Sequence, residues 1–211
     1  MMAIADPGHI KAVVSAISER GTDRRLLIAI AGQPASGKST LAEEIVASLN
    51  AKAKCTSCLV PMDGFHLHND ILDQRGLRAR KGAPDTFDVH GLIACVGRLR
   101  RQDEDVYVPT FDRQKDMAIA NARCVPTSCQ VVVLEGNYLL LDQKPWAQLK
   151  DMFDITVRLN LETALLEQRL IQRWLENGLH LEAAHARARS NDLPNALLVS
   201  AKSQSADLLL T

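Results

Sequence analysis

One run of residues in this chain of 211 residues has the types and spacing to hold a polyphosphate: Gly32-Gln33-Pro34-Ala35-Ser36-Gly37-Lys38-Ser39, followed by Thr40. It fits the pattern G-x-x-x-x-G-K-[ST]. Gly32 and Gly37 open backbone conformations closed to other residues, so the loop's amides can converge on an anion. A helix starting behind the loop would add the positive end of its dipole. Lys38 would reach the outer phosphates, and Ser39 would offer its hydroxyl to a magnesium ion. The flanks suit the motif. Leu26 to Ala31 is a continuous apolar run, as a strand buried on both faces requires, and Leu41, Ile45 and Leu49 recur at helical spacing.

Other residues could complete a reaction around a bound phosphate. Asp63 closes the run Cys58-Leu59-Val60-Pro61-Met62, at the carboxyl end of a strand, where open α/β sheets bind ligands. A carboxylate there can accept a proton from a hydroxyl or help to hold magnesium. Phe65 and His66 follow it. Glu135 ends a second apolar run, Val131-Val132-Val133-Leu134, and suits the acidic partner of a magnesium site. Arg169 and Arg173 lie four apart on one helical face, where like charges repel unless an anion, solvent or a neighbour such as Glu176 offsets them. Between these points runs a Gly- and Pro-containing loop, Asp73 to Asp88, whose cations include Arg80. Loops of that length are often binding loops. Asp112 and Arg113 form a charged turn, and Asn137 and Tyr138 are placed to wall a pocket, with Trp146 as an apolar neighbour.

The elements that must carry these residues alternate between strand and helix. Asp6-Pro7 opens a helix with an apolar stripe of Ile10, Val13, Val14 and Ile17, closed by Gly21. Strands are predicted over Cys55 to Val60, Val106 to Val108, Gln130 to Gly136, Ile155 to Leu159 and Ala196 to Val199. Helices are predicted at Leu92 to Leu99 and from Glu162, with Leu166, Leu170 and Trp174 on one face, an interruption at Gly178 and a resumption over Leu181 to Ser190. Asn191 to Asn195 is a turn cluster, and the stretch near Ala201-Lys202 is placed beside an adenine. Alternation of this kind predicts a parallel sheet covered by helices.

Composition bounds the possibilities. The formal net charge is zero, with 46% hydrophobic and 24% charged residues, which disfavours a broad nucleic-acid footprint and fits a globular domain. No apolar run approaches a membrane span, and the first residues, Met1 to Asp6, lack a basic region followed by an apolar stretch. The expectation is a cytoplasmic protein with no membrane partner. The cysteine count of 5 is odd, which argues against a disulfide framework. Cys55 and Cys58 have C-x-x-C spacing, but residues three apart on a strand point to opposite faces, so they are read as free thiols.

The motifs together resemble the small-molecule kinase branch of the phosphate-loop superfamily that holds uridine kinase, phosphoribulokinase and bacterial pantothenate kinase. Asp63-Gly64-Phe65 is similar to the motif whose aspartate is the proposed base in those enzymes. Gln74-Arg75-Gly76-Leu77 with Lys81-Gly82-Ala83-Pro84 resembles the pantothenate kinase loop, and Pro84-Asp85-Thr86-Phe87-Asp88 the uridine kinase segment. Glu135-Gly136 matches the magnesium-side acid, and Arg169 and Arg173 resemble lid arginines. The segments Glu135 to Leu141 and Asn191 to Asn195 look most like the group named fructose transport system kinases. The turn at Pro109 to Arg113 departs from the uridine and pantothenate kinases in lacking a downstream histidine.

The resemblance implies an α/β, three-layer P-loop NTPase fold: a mostly parallel five-stranded sheet, helices on both faces, and a helical lid. It implies a single domain over 1–211, with substrate-loop and lid insertions around 64–90 and 165–190. It implies an ATP- and Mg2+-dependent kinase acting on a hydroxyl of a small metabolite, with Lys38, Asp63, Arg169 and Arg173 catalytic and Ser39 and Glu135 on the metal. Phe65, His66, Arg80, Asp85, Phe87, Asp112, Arg113 and Tyr138 would meet the acceptor. The alternative is a nucleotide-dependent regulatory ATPase coupled to sugar transport. The acceptor and the oligomeric state are left open, a homodimer among the options.

Overall fold

The computed structural model describes residues 5–21, 23–52 and 56–211. The strands are β1 (Leu26–Gly32), β2 (Ser57–Pro61), β3 (Val106–Asp112), β4 (Met117–Val125), β5 (Val131–Gly136), β6 (Ile155–Leu159) and β7 (Leu208–Leu210). Five of them form one sheet in the order β2-β5-β1-β6-β7, with every pairing parallel. The helices are α1 (Pro7–Glu19), α2 (Lys38–Lys52), α3 (Asn69–Gln74), α4 (Val89–Arg101), α5 (Thr163–Glu176), α6 (Leu181–Arg187) and α7 (Leu193–Lys202). Helices cover both faces of the sheet, giving the three layers that the sequence led us to expect.

Period-two alternation along β1 builds the layers. Leu26, Ile28 and Ile30 face α1 and α2, meeting Val13, Ile17, Leu41 and Ile45. Leu27, Ala29 and Ala31 face the other way, into a core with Leu92, Val96 and Leu99 of α4, Val199 of α7, and Trp146 and Leu149 of a 3₁₀ turn. Asp6 caps α1 by accepting from the Gly8 amide at 2.7 Å. Fully buried Arg25 fixes the start of β1, donating to the carbonyls of Leu99, Pro126 and Cys129 at 3.0, 2.6 and 2.8 Å. A buried cation held by carbonyls is satisfied without a carboxylate.

Several predicted elements change. Ala196 to Val199 is not a strand but part of α7, and the last strand of the sheet is β7. Its short apolar run fitted either period. Burial decides it: Ala196 and Val199 are buried and Leu197 is exposed, a helical spacing. Asn191 to Asn195 is not a turn. A π-helical turn, Ala188–Asp192, leads directly into α7. Pro109 to Arg113 is mostly strand rather than turn, because β3 continues to Asp112 and pairs antiparallel with β4 in a separate ribbon. β4 was not predicted. The loop from Asp73 to Asp88 is broken by 3₁₀ turns at Arg78–Arg80 and Pro84–Thr86. The Cys55/Cys58 reading falls partly outside the described residues at Cys55. Cys58, Cys95, Cys124 and Cys129 are free thiols. Among the described residues, no helix is long and apolar enough to cross a membrane.

Candidate active site

Parallel register sets the site at the carboxyl edge of the sheet. Pro61 and Ile30 both pair with Glu135, so β2, β1 and β5 end at one level. Their successors, the turn with Asp63, the glycine loop and Glu135 itself, therefore meet. Close packing sets the fine position. A Cβ on Gly64 would sit 2.5 Å from the Pro109 carbonyl oxygen, and one on Gly136 would sit 2.4 Å from Met62 Cβ. Only glycine lets the Asp63 turn, Met62–Phe65, lie against both β3 and β5.

The glycine loop is shaped as the motif requires. Ala35 and Gly37 have φ of 61° and 93°, which turns successive amides inward. Gln33 is buried and anchors the loop. Its amide nitrogen lies 3.1, 3.2 and 3.0 Å from Asn160 Oδ1, the Leu161 carbonyl and Ser200 Oγ. Ser36 Oγ is buried without a hydrogen-bond partner among the described residues, an acceptor and donor available to an incoming phosphate. Arg169 stands over the loop, its guanidinium 3.4 Å from the carbonyls of Ala35 and Ser36.

Ser39 donates to Glu135 Oε2 at 3.1 Å, and Glu135 is 5% exposed. Desolvation pushes the Glu135 carboxyl above its usual range, against the opposing pull of Lys38. Desolvation lowers the Lys38 ammonium, against the pull of Glu135 and Asp63. Each charge partly offsets the desolvation of the other in a place that disfavours both. A divalent cation beside the carboxylate and a polyphosphate beside the ammonium would relieve both. The hydroxyl and carboxylate oxygens are the hard donors that magnesium takes, with water and phosphate completing its shell.

Next to this lies a cavity of about 650 Å³ whose lining runs from Pro34 through Asp63, His66, Phe87 and Phe111 to the lid. Asp63 is loosely paired with Arg113, at 3.9 Å. His66 Nδ1 lies 2.8 Å from the Asp63 carbonyl, so Nδ1 carries the proton and donates, and Nε2 is left as an acceptor. The ring sits between Phe87 and Phe111, with centroids 4.0 and 4.7 Å away. Desolvation there lowers its pKa, opposed mainly by Asp63, and keeps it neutral.

The structure distributes the remaining predicted residues unevenly. Asp63, His66, Phe87, Arg113 and Arg173 line the cavity. Phe65 packs in the core beneath it. Tyr138 supports the wall, donating to the Gly82 carbonyl at 2.7 Å, and burial pushes its phenol above its usual range. Asp112 faces away, caps the amides of Gln114 and Lys115 at 3.0 Å and pairs with Lys115 at 3.3 Å. Arg80 and Asp85 are exposed outside the lining. Their neighbours take the wall instead. Arg78 and Lys81 line it, and the Lys81 ammonium reaches Asn69 Oδ1 at 2.7 Å and Asp116 Oδ1 at 2.8 Å while lying 5.0 Å from the Phe111 ring centre.

The lid contributes residues that sequence reasoning missed. Asp192 accepts from Arg173 at 3.3 Å and from the Trp174 indole. Arg187 donates to the Ala79 carbonyl at 2.8 Å, and Asn191 to the Lys81 carbonyl at 3.0 Å. Outside the lid, Asn137 behaves as the sequence suggested: it follows β5 and turns toward the cavity beside Tyr138, its side-chain oxygen buried without a hydrogen-bond partner among the described residues. One signal was available: Asn191-Asp192 before Pro194 breaks the amphipathic pattern, and π-helical turns often mark functional sites.

Comparison with known proteins shows the family. Residues 27–208 match the phosphoribulokinase/uridine kinase family. An uncharacterized Escherichia coli protein, YggC, is 35% identical over 200 residues, spanning 94% of this chain and 82% of that one. A Schizosaccharomyces pombe protein named "putative uridine kinase" is 32% identical over 195 residues, spanning 89% and 83%. The crystal structure of a "putative fructose transport system kinase" from Silicibacter sp. TM1040 superposes with a TM-score of 0.90 at 45% identity, covering 96% of this chain and 98% of that one.

Proposed function

This chain belongs to the phosphoribulokinase/uridine kinase family and is a nucleotide-using kinase, and we propose that it moves the γ-phosphate of ATP to a hydroxyl of a small metabolite. Sugars, nucleosides and pantothenate-like molecules are the acceptor classes that its family and relatives suggest. The observation that carries the reading is the juxtaposition of Asp63 and Pro34 on the walls of one cavity: a candidate base and the phosphate loop look into the same space.

In this reading Asp63 takes the proton of the acceptor hydroxyl. The freed oxygen forms a bond to the γ-phosphorus while the bond from that phosphorus to the β,γ-bridging oxygen breaks, and ADP leaves with the electron pair. Lys38, Arg169 and Arg173 offset the charge spread over the transferred group. Magnesium, held by Ser39 and through Glu135, would supply further charge neutralisation on the phosphates. His66 Nε2 accepts a hydrogen bond from the acceptor, and Phe87 and Phe111 give its carbon skeleton a flat apolar ledge. One domain would provide the whole site, acting in the cytoplasm.

The test is Asp63→Asn, assayed for transfer from labelled ATP to a panel of these acceptors and for nucleotide binding by calorimetry. Transfer should fall by about 10²–10⁴ with nucleotide affinity kept. Undiminished transfer to the acceptor that the wild type uses would remove Asp63 as the base.

A further inference from the structure

The cavity walls are unequally charged. Arg78, Lys81, Arg113, Arg173 and Arg187 face Asp63, Asp116 and Asp192, with His66 neutral between them, a surplus of two positive charges. The acids are already engaged. Asp192 serves Arg173 at 3.3 Å. Asp116 serves Lys81 at 2.8 Å and is shared at 3.8 Å with Arg78, which also pairs with Asp73 at 3.1 Å from outside the lining. Asp63 lies 3.9 Å from Arg113. Arg113 and Arg173 stand close enough to Lys38 to depress its affinity for a proton, so they belong to the phosphate end of the cavity.

Arg187 differs from the others. It forms no ion pair among the described residues. One nitrogen donates to the Ala79 carbonyl at 2.8 Å, and the guanidinium lies 5.3 Å from the Trp174 ring centre. The contact to Ala79 brings it beside the backbone of Arg78, across the seam between α6 and the middle loop. A guanidinium has five donors, and one backbone carbonyl leaves most of them for a ligand. A stacked, half-buried arginine of this kind is suited to bidentate recognition of a carboxylate or phosphate.

We propose that the acceptor is an anionic metabolite whose hydroxyl end meets Asp63 and whose carboxylate or phosphate monoester is held by Arg187 and Arg78 at the lid-loop seam. This assignment rests on the kinase reading. It separates the acceptor classes: a neutral sugar or nucleoside would cover Arg187 without satisfying it, and a site built to bond a group discriminates strongly against the analogue that lacks it.

The experiment uses the full chain with labelled ATP and acceptors matched in carbon skeleton: neutral sugars and nucleosides, the corresponding sugar acids with pantothenate, and the sugar and nucleoside monophosphates. The acidic members should be phosphorylated with kcat/KM at least about 10²-fold above their neutral counterparts, and the carboxylate and phosphate arms identify the anion. Arg187→Gln should lower that value by about 10- to 100-fold, through acceptor KM rather than ATP KM, with partial rescue by Arg187→Lys. A neutral member used as well as its acidic counterpart overturns the assignment, as does an Arg187→Gln variant that slows acidic and neutral acceptors alike, the mark of a lid staple. If no member yields product, calorimetry with the same acids separates the two readings. Binding to wild type but not to Arg187→Gln keeps the anion site while the transferase reading falls, and no binding to either overturns the site.

Discussion

The two halves of the site are built by different means. The phosphate half hangs from the ends of parallel strands. Its loop is contiguous, its helix follows at once, and its acid is brought alongside by strand register, Ile30 opposite Glu135. The acceptor half has no comparable frame. It is assembled from 3₁₀ turns, an antiparallel ribbon and a π-helical turn, held by side chains that reach across the sequence: Lys81 to Asp116, Arg187 to Ala79, Asn191 to Lys81 and Tyr138 to Gly82. Backbone ladders fix the first half, and individual polar contacts fix the second. The phosphate half should therefore behave as a rigid unit, and the acceptor half as a set of separable contacts.

Substitutions can break or sharpen this contrast. The largest effect is expected from Lys38→Met, which removes the charge facing Glu135 and the polyphosphate. Turnover should fall by about 10³-fold or more, with ATP affinity weakened as well, in a steady-state assay paired with calorimetry. A variant that loses acceptor affinity alone would show the halves to be less distinct than described. Arg173→Ala comes next, at the boundary. It should cost about 10²-fold in kcat with a smaller change in ATP binding, and it also frees Asp192 from its only ion-pair partner among the described residues. Equal losses in kcat and ATP affinity would move Arg173 wholly into the phosphate half.

The smallest effect concerns pH. The His66 pKa is lowered from 6.5, chiefly by desolvation between Phe87 and Phe111. The native state thus binds fewer protons than the unfolded chain between the depressed value and 6.5. Across that window stability rises with pH and is lost on acidification. Thermal melts should show this slope in the wild type and a shallower one in His66→Phe, with no change above 6.5. An unchanged acid slope in the variant would mean that the ring is hydrated in the native state.

The same contrast explains what the sequence disclosed. The sheet, its flanking helices and the phosphate loop were legible because each rests on local pattern: an apolar run at Leu26 to Ala31, helical spacing after Lys38, and an acid at the end of Val131 to Leu134. The acceptor wall was only approximately legible. The cationic loop was recognised, but Arg80 and Asp85 turn outward while Arg78 and Lys81 turn in, a choice set by 3₁₀ geometry and by Asp116 in the turn that leads into the unpredicted β4. β4 lacks a sequence signature because most of it is exposed. It has no apolar alternation to read, and its existence depends on pairing with β3. Ala196 to Val199 failed for the opposite reason, being apolar enough for either period. Asp192 and Arg187 could not be placed without knowing that α6 crosses to the middle loop.

Gly64 ties the two halves together. With no side chain between them, the backbone carrying Asp63 rests directly against Pro109 in the ribbon. The most exposed pair of strands is thereby the mechanical stop for the candidate base. Insertions, deletions or a change of twist in that ribbon would alter the height of Asp63 above the acceptor without disturbing the sheet or the phosphate loop. Divergence in acceptor choice among relatives has a route here that leaves the nucleotide machinery intact: the ribbon can vary while residue 64 stays glycine.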